Sequence, residues 1–269
     1  MIAGSTHLVG LIGDPVAHSL SPRMQNAAFE ACSLDWVYVP LHVQGEALVD
    51  ALRGLAALGF AGANVTIPHK LAACELCDEL SEIAARGGSV NTVIVREDGT
   101  LFGTSTDGFA VTSAIEPKGA DVLMLGAGGA AQALAAALID AGIASLAISS
   151  AERTEELAAF VRALEPKLEV RELAWPPSGE GTQILINATP IKDELPVPPR
   201  ADQQIVDLAY KPDGSPTALI AAAREAGCRT VDGLEVLVRQ GAASFEHWTG
   251  YKAPIDIMRS AIRPEGSSG

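Results

Sequence analysis

A short apolar run ends in a cluster of glycines near the middle of this chain of 269 residues. Residues 121–131 read Asp-Val-Leu-Met-Leu-Gly-Ala-Gly-Gly-Ala-Ala, and a helix-forming stretch, Ala130 to Ala141, follows. A strand, a tight glycine turn and a helix in this order are typical of a dinucleotide-binding unit. A further strand pattern, Leu146 to Ile148, completes a βαβ unit. The cluster therefore predicts an α/β fold in this part of the chain.

Three small residues of the cluster occupy the positions of a G-x-G-x-x-G/A motif, namely Gly126, Gly128 and Ala131. Gly126 permits the turn, Gly128 lets the backbone approach a pyrophosphate, and Ala131 lets the helix pack close to its strand. Free N–H groups at the start of the helix favour a phosphate. Other parallel α/β proteins also carry glycine-rich turns, so the motif alone leaves both interpretations open.

The composition excludes several classes of protein. With 48% hydrophobic and 19% charged residues, the chain can bury a sizeable core. The formal net charge of −14 argues against a nucleic acid or an anionic membrane as partner. No signal peptide and no apolar span long enough for a bilayer is found, so we expect a cytoplasmic protein.

The four cysteines show no disulfide framework. Cys74 and Cys77 form a C-x-x-C inside a predicted helix from Lys70 to Glu79, with no second pair to complete a metal site. A redox or zinc site and two buried helix cysteines are both compatible with the spacing, and the second is favoured. We therefore expect no metal, and reduced thiols.

Strand and helix patterns alternate along the chain, which predicts parallel sheets with right-handed crossovers. The predicted helices before the glycine cluster begin near Pro22 and at Glu46, and a turn is expected at 97–99. The predicted strands are Leu8 to Ile12, Val37 to Leu41, Ala61 to Val65, Val90 to Val95, Val122 to Leu125, Leu146 to Ile148, Leu168 to Val170, Ile184 to Ile186, and Ile205 to Val206.

Three polar clusters precede predicted helices: residues 19–22, residues 64–70 and residues 104–108. Polar groups at the carboxyl end of a strand are where α/β proteins bind ligands. Each cluster also has a purely structural interpretation. Ser21, Thr66 and Asp107 would then be helix N-caps, and Lys70 a solvated surface cation.

Together with the glycine loop, these clusters make the chain resemble the shikimate dehydrogenase family from about Gly10 to Ile262. The matching blocks stand in the family's order. They are Ser19-Leu20-Ser21-Pro22, Asn64 to Lys70, Gly88 to Thr92, Thr106-Asp107-Gly108, Gly126 to Ala131, Asn187-Ala188-Thr189-Pro190, Asp232-Gly233-Leu234 leading to Gln240-Gly241-Ala242, and Trp248-Thr249-Gly250.

The resemblance implies a catalytic pair, Lys70 and Asp107, within hydrogen-bond reach of the substrate hydroxyl that is oxidised. Lys70 would either accept the proton as a neutral amine, or orient the hydroxyl as a cation while Asp107 or a water carries the proton. The resemblance also implies that Ser19, Ser21 and Tyr210 hold the substrate carboxylate. The ring hydroxyls would be bound by Asn64, Thr66, Asn91 and Gln240.

A further set of residues is implied to bind the dinucleotide, which is NADP or NAD. The set is Gly126, Ala127, Gly128, Gly129, Ala130, Ser149, Ser150, Asn187, Ala188, Thr189 and Gly233. The chain departs from the family at the end of the strand 146–148, where the arginine of NADP-preferring members is missing. Glu152 and Arg153 are slightly displaced candidates for NAD and NADP respectively, and an ordinary charged helix start is the alternative.

Two more departures concern the substrate. Ser105 replaces an asparagine of the family, and the loop 191–194 lacks its usual Gly-Met. Both indicate that quinate or a relative could replace shikimate or be accepted beside it.

The resemblance thus predicts a two-domain α/β fold, with an N-terminal α/β substrate domain and a Rossmann-like dinucleotide-binding domain. The substrate domain would cover residues 1–105, completed by 242–262, and the cofactor domain 106–241. The implied activity is reduction of 3-dehydroshikimate to shikimate, with an NAD-dependent quinate or quinate/shikimate dehydrogenase as alternative. A dinucleotide-binding sensor without turnover is the third possibility. The expected partner is a small hydroxy acid, and the expected state a monomer or homodimer.

Overall fold

The computed structural model describes residues 2–178 and 181–263. It divides into two compact units, Met1–Thr106 with Leu237–Gly269, and Asp107–Val236. Each unit contains a six-stranded sheet. The α/β fold class is confirmed. The units change after Thr106 and after Val236, whereas the sequence places the domain boundaries after 105 and after 241, so that 106 and 237–241 fall in the first unit; the functional division into domains stays a prediction.

Strands and helices alternate over much of the chain, but between 92 and 104 and between 169 and 207 strands follow one another with no α-helix among the described residues. The strands are β1 His7–Gly13, β2 Trp36–His42, β3 Phe60–Val65, β4 Glu79–Leu80, β5 Thr92–Val95, β6 Leu101–Thr104, β7 Asp121–Leu125, β8 Ser145–Ser149, β9 Glu169–Leu173, β10 Ile184–Asn187, β11 Gln204–Asp207 and β12 Arg229–Val231. The α-helices are α1 Ser21–Ala31, α2 Leu48–Ala57, α3 Lys70–Leu76, α4 Glu82–Gly87, α5 Asp107–Thr112, α6 Gly129–Asp140, α7 Thr154–Leu164, α8 Ala218–Glu225, α9 Gly233–Thr249 and α10 Ile255–Ile262.

The sheet of the first unit has the order β2-β1-β3-β5-β6-β4. Strands β1, β2 and β3 are parallel, as predicted, but β5 runs antiparallel to both β3 and β6. The expectation of a purely parallel sheet is wrong here, because the turn at 97–99 joins β5 directly to β6 as a hairpin. Ile12, Leu52, Val65 and Val93 belong to the apolar core of this unit.

The sheet of the second unit is parallel throughout, in the order β12-β11-β10-β7-β8-β9. The chain starts at β7, runs outward through β8 and β9, and then returns to β10 on the other side of β7. The strand order therefore reverses between β7 and β10. In open α/β sheets, ligands bind at the carboxyl ends of the strands at this switch point. Leu125 ends one strand there, with Gly126 directly after it, and Asn187 ends the other.

Several predicted helix caps are wrong by one to three residues. Ser21 is the first residue of α1 rather than its cap, and the cap position is Leu20. His69, not Thr66, occupies the cap position of α3. Asp107 begins α5 rather than preceding it. These helices are placed by packing rather than by a side-chain cap, since no side-chain cap hydrogen bond forms at α1 or α3.

The predicted helix at 70–79 is shorter than expected. It ends at Leu76, so that Cys74 lies in α3 while Cys77 follows it in extended backbone. Burial raises the pKa of the Cys77 thiol to about 12 and that of Cys74 above its ordinary value. The four cysteines, all in the described part of the chain, are free thiols. The residues 2–178 and 181–263 contain no helix long and apolar enough to cross a bilayer.

Candidate active site

A cluster of buried amides and hydroxyls lies in the first unit, around Asn91 and Asn64. The Asn91 Nδ2 donates to Thr106 Oγ1 at 2.9 Å and to Gln240 Oε1 at 3.4 Å. Its Oδ1 accepts from the Thr106 backbone N–H at 2.9 Å. The structure thus brings Asn91 and Gln240, which are 149 residues apart in sequence, into direct contact.

Asn64 is hydrogen-bonded to this cluster through the backbone of Asn91. Its Nδ2 donates to the Asn91 carbonyl at 3.0 Å and lies 2.9 Å from Ser244 Oγ, while its Oδ1 accepts from the Tyr38 hydroxyl at 2.9 Å. The side chain is 4% exposed, and both its polar atoms are used inside the unit. A buried polar group must find such partners. Tyr38 and Ser244 lie 26 and 180 residues from Asn64 along the chain, so no local sequence pattern indicates them.

Lys70 is held beside the same cluster by its backbone. It is the half-buried first residue of α3, and its carbonyl accepts the Val90 N–H at 3.0 Å, one residue before Asn91. Thr66 lies at the carboxyl end of β3, where its N–H donates to the Ile12 carbonyl at 2.8 Å. A Cβ on Gly13 would collide with the Thr66 methyl group, so the glycine allows these two strand ends to approach.

The two predicted carboxylate-binding serines lie at the start of α1. The Ser19 Oγ accepts the Ser21 backbone N–H at 3.2 Å, so Ser19 partly replaces the missing helix cap. Ser21 itself is buried. The hydroxyl of Ser105, which departs from the family, is also buried and has no hydrogen-bond partner in the described part of the chain.

The remaining predicted substrate and catalytic residues, Asp107 and Tyr210, belong to the second unit. Asp107 is 6% exposed and begins α5. Helix α5 packs closely on α6, because a Cβ on Gly108 would lie 2.5 Å from the Cβ of Ala137. This close packing fixes the position of Asp107 relative to the glycine loop. Tyr210 is half-buried in the segment after β11.

The glycine loop has the geometry that the sequence predicts. Gly126 has φ +100°, and a Cβ there would lie 3.0 Å from the carbonyl of Ala188 and 3.1 Å from Thr189 Cγ2. Gly128 is exposed, and nothing lies within 4 Å of the place where its Cβ would be. It precedes α6, whose first turn has no side-chain cap. Open space and free N–H groups at a helix start fit a pyrophosphate.

The end of β10 forms the other side of the switch point. Asn187 is fully buried, and its Oδ1 accepts both the N–H and the hydroxyl of Thr189, at 3.1 and 2.6 Å. Gly233 begins α9, and a Cβ there would collide with the Ala209 carbonyl oxygen. No larger residue fits at position 233 while this segment keeps its path.

The end of β8 uses its two serines differently. Ser149 is fully buried and donates to the Ala174 carbonyl at 2.9 Å, while its own carbonyl accepts the Gly126 N–H at 2.9 Å. Its hydroxyl is thus directed into the unit. Ser150 is half-buried and bonds through its backbone to Thr154. Arg153 has φ +63° at the cap of α7, and its Nε lies 2.5 Å from Glu156.

This parallel sheet with a glycine loop at its switch point defines the class of dinucleotide-binding α/β proteins. Comparison with known proteins identifies the family. Residues 11–93 match the model of the shikimate dehydrogenase substrate binding domain, and residues 233–263 match that of the shikimate 5'-dehydrogenase C-terminal domain.

Full-length relatives agree. The shikimate dehydrogenase (NADP(+)) of Rubrobacter xylanophilus is 45% identical, with 98% of each chain covered. A crystal structure of a shikimate dehydrogenase with NADP+ superposes with a TM-score of 0.87, at 36% identity, covering 97% of this chain and 96% of that one. A complex of the Thermus thermophilus enzyme with NADP(H) and shikimate has a TM-score of 0.83, at 33% identity, covering 96% and 98%. The chain belongs to the shikimate dehydrogenase family.

Proposed function

We propose that this protein is an NADP-dependent shikimate dehydrogenase, which interconverts 3-dehydroshikimate and shikimate. The observation that carries the proposal is the presence of a glycine loop before an uncapped helix in one unit and of a cluster of buried amides and hydroxyls in the other, in a chain 45% identical to an enzyme of that name. The quinate dehydrogenase and the sensor without turnover are not favoured by these relatives.

Proton transfer is the task we assign to Lys70 and Asp107. NADP held at the glycine loop would supply the acceptor for the hydride on the carbon that bears the reacting hydroxyl. The hydroxyl proton leaves to the Lys70 Nζ, or Lys70 orients the hydroxyl while Asp107 takes the proton. In the reverse direction the same groups return the proton to the carbonyl oxygen. The position of Lys70 beside the loop at 90–91 supports this role.

We assign the ring hydroxyls of the substrate to Asn91, Gln240 and Thr66, and the carboxylate to Ser19, Ser21 and Tyr210. We assign Asn64 to holding Asn91 in place, because its Nδ2 donates to the Asn91 carbonyl at 3.0 Å. Neutral donors and acceptors discriminate well between polyhydroxylated acids, since an absent hydroxyl leaves a buried group unpaired.

We assign the pyrophosphate to the backbone of the glycine loop, residues 126–130. Residues 187–189 and Gly233 would form the neighbouring wall of the dinucleotide site. The 2′-phosphate of NADP needs a cation near the end of β8, and Arg153 is the candidate. Its partner Glu156 is more than half exposed. A surface pair of this kind contributes little stability, so Arg153 can exchange Glu156 for a phosphate at small cost.

The experiment that tests the proposal is a spectrophotometric assay of shikimate and quinate, each with NADP and NAD. We expect the highest kcat/KM for shikimate with NADP. Higher kcat/KM with quinate would replace the substrate assignment, and turnover with none of the four combinations would overturn the proposal.

A reducing, cytoplasmic location is supported by the free thiols. Light scattering distinguishes between a monomer and a homodimer, the two states that the sequence leaves open.

A further inference from the structure

A fully buried carboxyl group, that of Asp207, lies at the end of β11 and is not used by the proposed mechanism. Its Oδ1 accepts from Asn187 Nδ2 at 2.8 Å and from the Ala209 N–H at 2.9 Å. Its Oδ2 accepts from the Thr217 hydroxyl at 2.5 Å. A buried charge is costly unless it is hydrogen-bonded in this way. The carboxylate therefore joins three separate segments of the second unit.

The hydrogen bond to Asn187 sets the orientation of an amide. An ionised carboxylate can only accept, so Asn187 must turn its Nδ2 toward Asp207. Its Oδ1 then faces the other way, where it accepts the N–H and the hydroxyl of Thr189. The Thr189 Oγ1 in turn accepts the Ile191 N–H at 3.2 Å. The Asn187 Nδ2 also donates to the Ile191 carbonyl at 3.2 Å. Asp207, through the shorter of the two Nδ2 bonds, and the Ile191 carbonyl together hold the amide and with it the segment 187–191.

This segment faces the glycine loop across the switch point. The Cβ position of Gly126 is only 3.0 to 3.1 Å from Ala188 and Thr189. β7 and β10 are paired neighbours, with Leu125 in register with Asn187. A small shift of 187–189 would therefore change the space above the loop that we assign to the pyrophosphate.

We propose that Asp207 is a positioning residue for the dinucleotide, which acts by orienting the Asn187 amide and so shaping the wall at 187–189. The inference rests on the proposed function in taking NADP as the ligand of the glycine loop. The other two bonds anchor Asp207 itself: Thr217 caps α8 by accepting the Ile220 N–H, and Ala209 is packed under Gly233. Burial raises the pKa of Asp207 to about 6, so the accepting carboxylate is the main form at neutral pH.

The test is the affinity of Asp207→Ala for NADPH, measured by the change in nucleotide fluorescence on binding. We expect Kd to rise about tenfold, because the Asn187 amide loses its hydrogen bond to a charged group and keeps the bonds between neutral groups, to Thr189 and Ile191. The KM for shikimate, measured at saturating NADP, should rise less than the Kd for NADPH, since the substrate residues of the first unit are untouched and Tyr210 alone of the substrate residues lies next to Ala209.

Two matched variants separate positioning from mere stability. Thr217→Val removes the bond that anchors α8 but keeps the one to Asn187; it should lower Tm and leave the Kd for NADPH within about twofold. Asp207→Asn retains an oxygen for Asn187 and Ala209, and should restore most of the affinity. An unchanged Kd in folded Asp207→Ala would overturn the inference, and so would an equal loss of affinity in Thr217→Val.

If Asp207→Ala does not fold, Asp207→Ser decides the question. A serine hydroxyl can still bond the N–H two residues on, at Ala209, but is too short for Asn187. Its Kd for NADPH should rise as described, and an unchanged Kd would overturn the inference. Because NADPH binding is measured without turnover, the proposed function is tested separately. If the wild-type protein does not oxidise shikimate but the Asp207 variants still bind NADPH more weakly than it does, the proposed function is contradicted and the positioning role is not.

Discussion

The two units present different chemistry at the ends of their strands. The first unit offers side chains: Asn91, Gln240 and Thr106 form a hydrogen-bonded cluster that Asn64 supports. The second offers backbone: Gly126, Ala127 and Gly128 make a loop without polar side chains before a helix that has no side-chain cap. Side-chain groups read a particular pattern of hydroxyls, whereas backbone N–H groups bind a phosphate that many ligands share.

This difference predicts how each unit responds to substitution. Substitution of an amide in the first unit should alter which substrate binds. A Cβ added to the glycine loop of the second unit should lower the affinity for the dinucleotide, whichever substrate is used. Substitution of Lys70, the catalytic group that we assign to the first unit, should change neither the affinity for the substrate nor that for the dinucleotide strongly.

Lys70→Ala should lower kcat about a thousandfold with a much smaller change in the KM for shikimate. General acid–base groups contribute about 10²- to 10⁴-fold, chiefly in the transition state. Steady-state kinetics at saturating NADP measure the effect. The exposed Lys252 is the matched control, and Lys252→Ala should keep the wild-type kcat. An unchanged kcat in Lys70→Ala would remove Lys70 from the mechanism.

Gly126→Val and Gly128→Val should both weaken NADPH binding, by about a hundredfold, but for different reasons. Position 126 combines a positive φ with close neighbours, so valine there should also lower Tm strongly. Position 128 faces open space, so its valine should leave Tm within a few degrees and hinder only the ligand. Thermal melts and NADPH fluorescence titrations check both. Full NADPH affinity in Gly128→Val would show that the ligand does not approach there.

Asn91→Ala should raise the KM for shikimate about tenfold while the Kd for NADPH stays within twofold. The variant removes a group that we assign to a ring hydroxyl and also frees Thr106 and Gln240. Asn26→Ala is the control, because among the described residues its amide bonds to the backbone of Tyr38 in the same unit and to no member of the cluster around Asn91. That variant should lose about 1–3 kcal/mol of unfolding free energy, with an unchanged KM. Equal KM values in the two variants would contradict the assignment.

Asp207 should also make the free energy of unfolding depend on pH, an effect smaller than those of the substitutions above. Its pKa rises from 3.8 to about 6 on folding, mainly by burial, with Asp232 adding to the rise. Between these values the folded state binds the proton more tightly than the unfolded state. The stabilising contribution is therefore complete below about pH 4 and lost as the pH rises through about 6, up to ~3 kcal/mol in all.

Denaturant unfolding at several pH values measures this contribution. The difference in unfolding free energy between the wild-type protein and Asp207→Asn should decrease from pH 4 to pH 7, because asparagine does not titrate. A difference that stays constant over this range would show that the pKa of Asp207 is not raised.

Much of the fold followed from local patterns. The apolar runs at β1, β3, β7, β8, β10 and β11 are short, continuous and bounded by turn residues, which is why they were predictable. The strand β6, Leu101–Thr104, was not recognised, although the turn before it was. Its four residues carry too little pattern by themselves, and only their pairing with β5 makes them a strand.

The candidate site was predictable only in part. The glycine loop is a local motif, so its conformation could be predicted from six residues. The partners of Asn64 are Tyr38, Thr92 and Ser244, which lie up to 180 residues away and show no shared pattern. Asp207 carried no signal beyond a lone carboxylate after an apolar strand. Its role emerges only when Asn187 and Thr217 are brought to it by the sheet.

The division between the two units is tested most directly by titrating NADPH and shikimate separately into Gly128→Val and Asn91→Ala by calorimetry. We predict a crossed pattern, in which Gly128→Val loses NADPH affinity and keeps that for shikimate, while Asn91→Ala shows the reverse. Loss of both ligands in either folded variant would contradict the account, since the two units would then not read their ligands independently.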